Sequence, residues 1–211
     1  MQSAAPKTKT RIEDIRRIEL IEAAHRVFLT DGLNGLTTTR ICREAGMSQG
    51  ILTYYFKNKE EVLFEMVRYA NRLLMDDVVT RLRRANSNWE RLKAIFEGNF
   101  PEEHYVANTA NAWSSFYAAA ASNERYAMLQ QLFYRRLRSN LASALANILS
   151  AAQLDHFTNG VAALIDGLWL RRGRSDDLTA SEAIRLLVEY AEKMLGPEVV
   201  EKLQRPGPTG P

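Results

Sequence analysis

The sequence predicts an all-α fold. Three observations carry this: no segment alternates apolar and polar residues with period two, apolar residues instead recur at spacings of three and four, and capping residues, glycines and prolines stand where those stretches end. The first helix is expected from Ile12 to Asp31, with Ile18, Ile21, Ala24 and Phe28 as its apolar stripe and Gly32 as its stop. Two short helices follow, near Thr39–Glu44 and Gln49–Tyr55, on either side of a turn at Gly46. Asn58 reads as an N-cap, and Glu61 three residues later suits a capping box. The helix it opens carries Val62, Met66, Ala70, Leu74 and Val78. If it reaches Arg84 it spans roughly 39 Å, a rigid lever at 1.5 Å per residue. Asn86-Ser87-Asn88 breaks the pattern. A helix from Trp89 ends near Asn99, ahead of Pro101, which disfavours helix at its predecessor. Further helices are expected over residues 102–121, over 125–149 with Phe133, Leu137, Leu141, Leu145 and Ile148 on one face, and over 155–172 with Val161, Leu164, Ile165 and Leu168. Thr179 or Ser181 caps the last helix, which stops near Leu195 before Gly196-Pro197. The division that results is a flexible basic arm at 1–11, a helix-turn-helix domain at 12–58, a larger helical domain at 59–197 and a flexible tail at 198–211.

Composition bounds what such a chain can do. Its 211 residues, 46% hydrophobic, suffice for one large or two small domains with a real core. The net charge of +3 resides in residues 1–60, which hold 10 Lys or Arg against 7 Asp or Glu; the remainder is neutral. Lys7, Lys9 and Arg11 make a mild basic arm, or simply a solvated terminus. The single cysteine, Cys42, rules out an intrachain disulfide, sits at an apolar helical position and fits a reducing cytoplasm. No apolar run reaches membrane-spanning length, and the N-terminus lacks the apolar core of a signal peptide, so no membrane partner is expected. His25, His104 and His156 share no ligand spacing, which speaks against a metal. No nucleophile–base pairing or phosphate-cradling glycine loop is present, so neither an enzyme nor a cofactor is expected.

The stretch from Leu36 to Lys59 carries the chemistry. Two short helices about a glycine turn form a helix-turn-helix, which places its second helix in the major groove of double-stranded DNA. Thr38 and Thr39 open the first helix, where a hydroxyl can cap it or donate to a phosphate. Gly46 supplies a left-handed turn, and Ser48 stands at the cap of the second helix. Gln49 and Thr53 face outward; Gln can pair with an adenine edge and a Thr methyl can meet that of thymine. Gly50 permits close approach to the groove floor, while Leu52 and Phe56 turn inward. Tyr54, Tyr55 and Lys59 flank the helix and suit phosphates. Taken singly, Thr38 and Ser48 can be mere caps and Tyr55 mere packing; the array with its spacing points to DNA. A protein that merely coats DNA would bind any duplex alike, whereas a regulator should favour its operator by about 10³-fold or more.

From Ile12 to Leu63 the chain resembles the TetR family of bacterial one-component regulators. The likeness rests on Thr37-Thr38, Ile41, Ala45-Gly46-Met47-Ser48, Gly50, Leu52, Tyr55-Phe56 and Lys57-Asn58-Lys59-Glu60; the chain departs at Thr53, where many members carry tyrosine. Gly98-Asn99-Phe100, Ala112-Trp113, Phe116-Tyr117, Tyr134-Arg135-Arg136-Leu137, Ser139-Asn140-Leu141 and the run Ala163–Arg171 are similar to the choline-responsive branch of that family, which represses genes of glycine-betaine synthesis and choline uptake. The resemblance implies an all-helical homodimer: three N-terminal helices bind operator DNA, a C-terminal domain binds a small-molecule effector, and the last two helices, 155–172 and 181–195, build a four-helix dimer interface. Their apolar stripes suit such a bundle.

A quaternary ammonium donates no hydrogen bond and is held by aromatic faces, each contact contributing about 0.5–2 kcal/mol, and by carboxylates. Trp113, Phe116 and Tyr117 share one helix face at i, i+3 and i+4, and Tyr134 and Trp169 add further rings. Asp166 lies within an apolar run, where an unpaired charge is costly unless it meets a cation. An aromatic stripe also suits an ordinary core, and Asp166 also suits an ion pair with Arg135 or Arg136. A repressor of the same type sensing a different cationic or apolar molecule is the alternative.

Overall fold

A computed structural model describes residues 7–175 and 177–205 of the chain. Every regular element among them is a helix: α1 (Lys7–Gly35), α2 (Thr38–Ala45), α3 (Gln49–Tyr55), α4 (Lys59–Leu82), α5 (Asn88–Asn99), α6 (Ala107–Ala120), α7 (Glu124–Leu145), α8 (Ala151–Arg172), α9 (Ala180–Leu195) and α10 (Pro197–Gln204). None of them is long and apolar enough to cross a membrane.

Local chemistry sets most of the boundaries. Asn58 accepts from the Glu61 amide, Ser87 from that of Glu90 and Asn123 from those of Arg125 and Tyr126. Full capping boxes open α8 (Ser150 with Gln153) and α9 (Thr179 with Glu182). Around Asn58 the box is redirected, because the Glu61 carboxylate accepts from the Lys57 amide, 2.8 Å away.

Three expectations need correction. Helix α1 begins at Lys7, so backbone assigned to a flexible arm is helical there; residues 1–6 lie outside the described chain. Ile18, placed in the buried stripe, is 48% exposed, because α1 turns Leu20, Ala23, Ala24, Val27 and Phe28 inward. The tail expected from residue 198 contains α10, whose Leu203 is fully buried. Gly196 (φ 76°) reverses the chain and Pro197 occupies the first helical turn, where its missing N–H costs nothing, so the pair that reads as a stop also starts a helix. Smaller shifts affect α6 and α7. Residues 101–105 form a turn with His104 and Tyr105 amides on the Pro101 carbonyl, so α6 begins at Ala107, and α7 ends at Leu145.

Two hydrophobic cores hold the bundle. The first joins α1–α4 to α6 and α7 through Phe28, Leu36, Ile41, Leu52, Phe56, Leu63, Met66 and Phe116. The second joins the end of α4 and α5 to α7–α10 through Val78, Leu92, Phe96, Leu141, Phe157, Val161 and Leu187. Where α8 crosses α9, a Cβ on Gly160 would collide with the Tyr190 hydroxyl, so glycine allows the approach.

His25 lies half-buried between α1 and α4, its ring edge-on to Tyr69 at 5.6 Å. Burial, then the neighbouring His104 and Arg26, lower its pKa from 6.5 to about 4. The folded value is the lower one, so the contribution to stability is complete above pH 6.5 and is lost as pH falls toward 4. Unfolding free energy should drop by about 2 kcal/mol between pH 7.5 and 5 on this account. Denaturant titrations at the two pH values should show the drop, and His25→Gln should remove most of it.

Candidate DNA-reading face and effector site

Helix α2 is capped by Thr37, whose hydroxyl accepts from the Arg40 amide at 3.3 Å. Thr38 and Thr39 therefore lie inside the helix rather than capping it. Gly46 takes a left-handed conformation (φ 63°, ψ 31°), with its amide on the Arg43 carbonyl and that of Met47 on the Cys42 carbonyl. Cys42 is buried. Ser48 stands at the cap position of α3 in extended conformation, but its hydroxyl makes no capping bond. Leu52 and Phe56 are buried and fix which face of α3 turns outward.

The outward face carries Gln49, Gly50, Thr53 and Tyr54, beside exposed Thr39 and Ser48. Thr38, Tyr55 and Lys59 are half-buried at its edges. Gln49 Nε2 donates to Thr39 Oγ1 at 2.9 Å, joining the two motif helices, while Thr53 Oγ1 donates back to the Gln49 and Gly50 carbonyls. Tyr54 is 70% exposed, and its hydroxyl donates to Glu13 Oε1 at 3.3 Å. A groove of about 420 Å³ runs from the Gly46 turn along α3 and is closed on one side by Arg16. Ion pairs Arg26–Glu44 (2.7 Å) and Arg40–Asp31 (2.6 Å) fasten α2 to α1.

In the larger half the six candidate effector residues separate. Trp113, Phe116 and Tyr117 do share a face of α6: Trp113 lies 5.8 Å from Phe116 and 6.4 Å from Tyr117, ring centre to ring centre. Phe133 of α7 joins them edge-on to Trp113 at 5.7 Å, and Phe28 does so from α1 at 5.2 Å. Phe116 is fully buried and belongs to the core, whereas Trp113, Tyr117 and Phe133 are half-buried. Trp169 stands elsewhere. It stacks on Phe100 at 6.1 Å, meets Tyr105 edge-on at 4.8 Å and donates to the Asn99 carbonyl. Tyr134 lies on the surface, its hydroxyl donating to Asn159 Oδ1 at 2.7 Å.

Asp166 sits on the open face of α8 rather than inside the bundle. One side is solvated and the other lies against protein, and this partial burial raises its carboxyl above the usual range. The Tyr117 hydroxyl is pushed up by burial and then by the Asp166 carboxylate, so the two groups are neighbours. Within one chain neither Arg135 nor Arg136 pairs with Asp166: Arg135 donates to the Gln131 carbonyl and Arg136 to that of Asn71; a pairing across a dimer involves a second chain. Among the described residues no cluster of ligating side chains fits a metal. Sequence reasoning passed over Asn71, a polar side chain on the inward face of α4, because the neighbouring stripe Ala70, Leu74 and Val78 already satisfied the helical period.

Comparison with known proteins accords with both halves. A family model for bacterial regulatory proteins of the tetR family matches residues 20–66, and one for the C-terminal part of BetI-type transcriptional repressors matches residues 89–196. The chain is 34% identical to the HTH-type transcriptional regulator BetI of Brucella canis over 183 residues, covering 86% of this chain and 92% of that protein. Among solved structures, a TetR transcription regulator from Haloarcula marismortui superimposes with a TM-score of 0.76 at 21% identity, covering 86% of this chain and 98% of that one. A transcriptional regulator from Saccharomonospora viridis in complex with choline gives 0.71 at 20% identity, covering 83% and 95%. With a helix-turn-helix at one end, a BetI-type helical domain at the other and both matched in order along one chain, the protein belongs to the TetR family of DNA-binding transcriptional regulators.

Proposed function

We propose that the chain acts as a homodimeric repressor of glycine-betaine synthesis or choline uptake genes, and that its effector is choline or a related quaternary ammonium compound. The single observation that carries the effector reading is Asp166: a carboxylate without an ion-pair partner among the described residues, near Tyr117, whose ring leads through half-buried Trp113 to Phe133. A carboxylate next to aromatic faces is a setting for a cation that cannot donate hydrogen bonds. The BetI relatives, and choline in the Saccharomonospora viridis regulator, support the same reading.

In this reading two copies of α3 read the half-sites of a near-palindromic operator. Effector binding shifts the dimer between two spacings of those helices, which requires unequal affinity for the two states. Helix α4 leads from the DNA end into the second core and is the natural transmitter. The direct test is a mobility shift on promoter DNA beside its own gene, with and without choline, paired with calorimetry. Absence of choline heat at millimolar concentration, with an intact operator shift, would leave the regulator and remove this effector.

The reader makes its own prediction. Gln49→Ala should relax preference at one base pair per half-site, by about 1–3 kcal/mol of discrimination. Lys59→Ala should weaken all duplexes alike and flatten the salt dependence. Binding-site selection with each variant checks both; unchanged base preference in Gln49→Ala removes Gln49 from base readout.

A further inference from the structure

Base recognition in the major groove turns on donors and acceptors. Adenine presents its N7 acceptor beside the N6 donor, whereas guanine presents two acceptors, N7 and O6. A glutamine amide carries two N–H donors and one carbonyl oxygen. Turned one way it offers a donor beside an acceptor, the complement of adenine. Turned the other way it offers both N–H groups, which suit guanine. A glutamine with a free head is therefore an ambiguous reader.

The head of Gln49 is not free. Its Nε2 donates to Thr39 Oγ1 at 2.9 Å, from the first residue of α3 back to α2. Both residues are exposed, so the bond lies on the outward surface of the motif and not in its core. Neither end has slack. Arg40–Asp31 and Arg26–Glu44 fasten α2 to α1, and the Gly46 turn, with the Met47 amide on the Cys42 carbonyl, fixes where α3 starts. Thr53, one turn further along α3, does not compete for the amide, because its hydroxyl is turned onto the Gln49 and Gly50 carbonyls. With one N–H committed to Thr39, the Gln49 head keeps one N–H and Oε1 for a base.

We infer that Thr39 is a positioning residue that makes Gln49 read adenine and reject guanine, so that each half-site carries an A·T pair at the position Gln49 meets. This rests on the base-readout role proposed for Gln49 and narrows it. Adenine N7 accepts the remaining N–H while its N6 amino group donates to Oε1. Guanine in the same place sets its O6 against Oε1, two acceptors face to face, unless the bond to Thr39 breaks. The side chain is also ordered before DNA arrives, which removes part of the cost of fixing it on binding. In accepting from Gln49, Thr39 keeps its own hydroxyl hydrogen for a phosphate oxygen. Loss of that hydroxyl therefore weakens every duplex as well, and the ratio between bases separates the two roles.

Binding-site selection with the full chain and with Gln49→Ala locates the base pair whose preference relaxes. Fluorescence anisotropy on duplexes differing only at that pair then tests the inference. The native protein should favour A·T over G·C there by about 5- to 150-fold, the range of a bidentate contact. Replacing the adenine by 7-deazaadenine, which lacks N7 but pairs normally, should weaken binding by about fivefold or more. Thr39→Val should cut the ratio of A·T to G·C affinity by about fivefold or more, whatever its overall affinity, and Thr39→Ser should restore the ratio because the hydroxyl returns. A native preference for G·C at that pair, no loss on 7-deazaadenine, or a Thr39→Val ratio within about twofold of the native one overturns the inference and leaves Gln49 as a reader of another kind. A Thr39→Ser ratio no better than that of Thr39→Val assigns the effect to packing and overturns it too. If Gln49→Ala relaxes no position, the base-readout role itself fails and this inference falls with it.

Discussion

Phe28→Ala should destabilise the protein by about 3–5 kcal/mol, and its effect should extend to both ends of the first core. The ring is fully buried, meets Trp113 edge-on at 5.2 Å and shares a core with Leu52 and Phe56 beneath the DNA-reading helix. Around it α1 is tied to α6 a second time. Gly32 leaves helical geometry (φ 67°, ψ −169°), and the next amide, on Leu33, donates to Ser115 Oγ at 3.2 Å. Removing the ring leaves a cavity that α1 and α6 cannot both close without breaking that registration. Denaturant unfolding should report the loss, and near-ultraviolet circular dichroism should report altered packing of Trp113. A loss below 1 kcal/mol would mean that the helices collapse onto the gap and that α1 and α6 are joined less firmly than their packing indicates.

Asp166→Asn should lower the affinity for any quaternary ammonium by about ten- to hundredfold while leaving operator affinity without effector unchanged. The arithmetic is Coulombic: a carboxylate and a cation about 5 Å apart in a half-solvated site interact by about 3 kcal/mol at an effective dielectric of 20, reduced by exposure. Asn keeps the shape and removes the charge. Because partial burial raises the Asp166 carboxyl, binding should also weaken as pH falls into the range where it protonates, and the Asn variant should lose that dependence. Calorimetry with tetramethylammonium at several pH values checks both. Equal affinity in the two proteins would assign Asp166 to a surface role.

The helices and the outward face of the helix-turn-helix were legible because local rules decide them. Gly46 takes the left-handed turn read from sequence, and Asn58 and Thr179 cap where their spacing indicates. Leu52 and Phe56 face inward on helical phase alone. What sequence could not supply is rotation and partnership. Ile18 has the phase of a core residue, yet α1 is rolled so that Leu20 and Ala24 take the interior. Trp113 and Trp169 have similar chemistry, but their helices carry one into the first core and the other into the second. Thr37 displaced Thr38 and Thr39 as cap because the helix begins one residue earlier than the hydroxyl pattern alone can distinguish. Asn71 escaped notice because the apolar residues around it on α4 already satisfy the helical period.

The DNA-reading helices share their oily interior with α6 and α7, through Ala112, Phe116, Tyr126 and Leu129. They are not a detachable head on a separate body. Cut away after Tyr55, they would carry a raw hydrophobic wound in place of a finished surface. Swapping readers between relatives should succeed only when the matching stretch of α6 travels with them, and heat should melt both ends of the chain in one step.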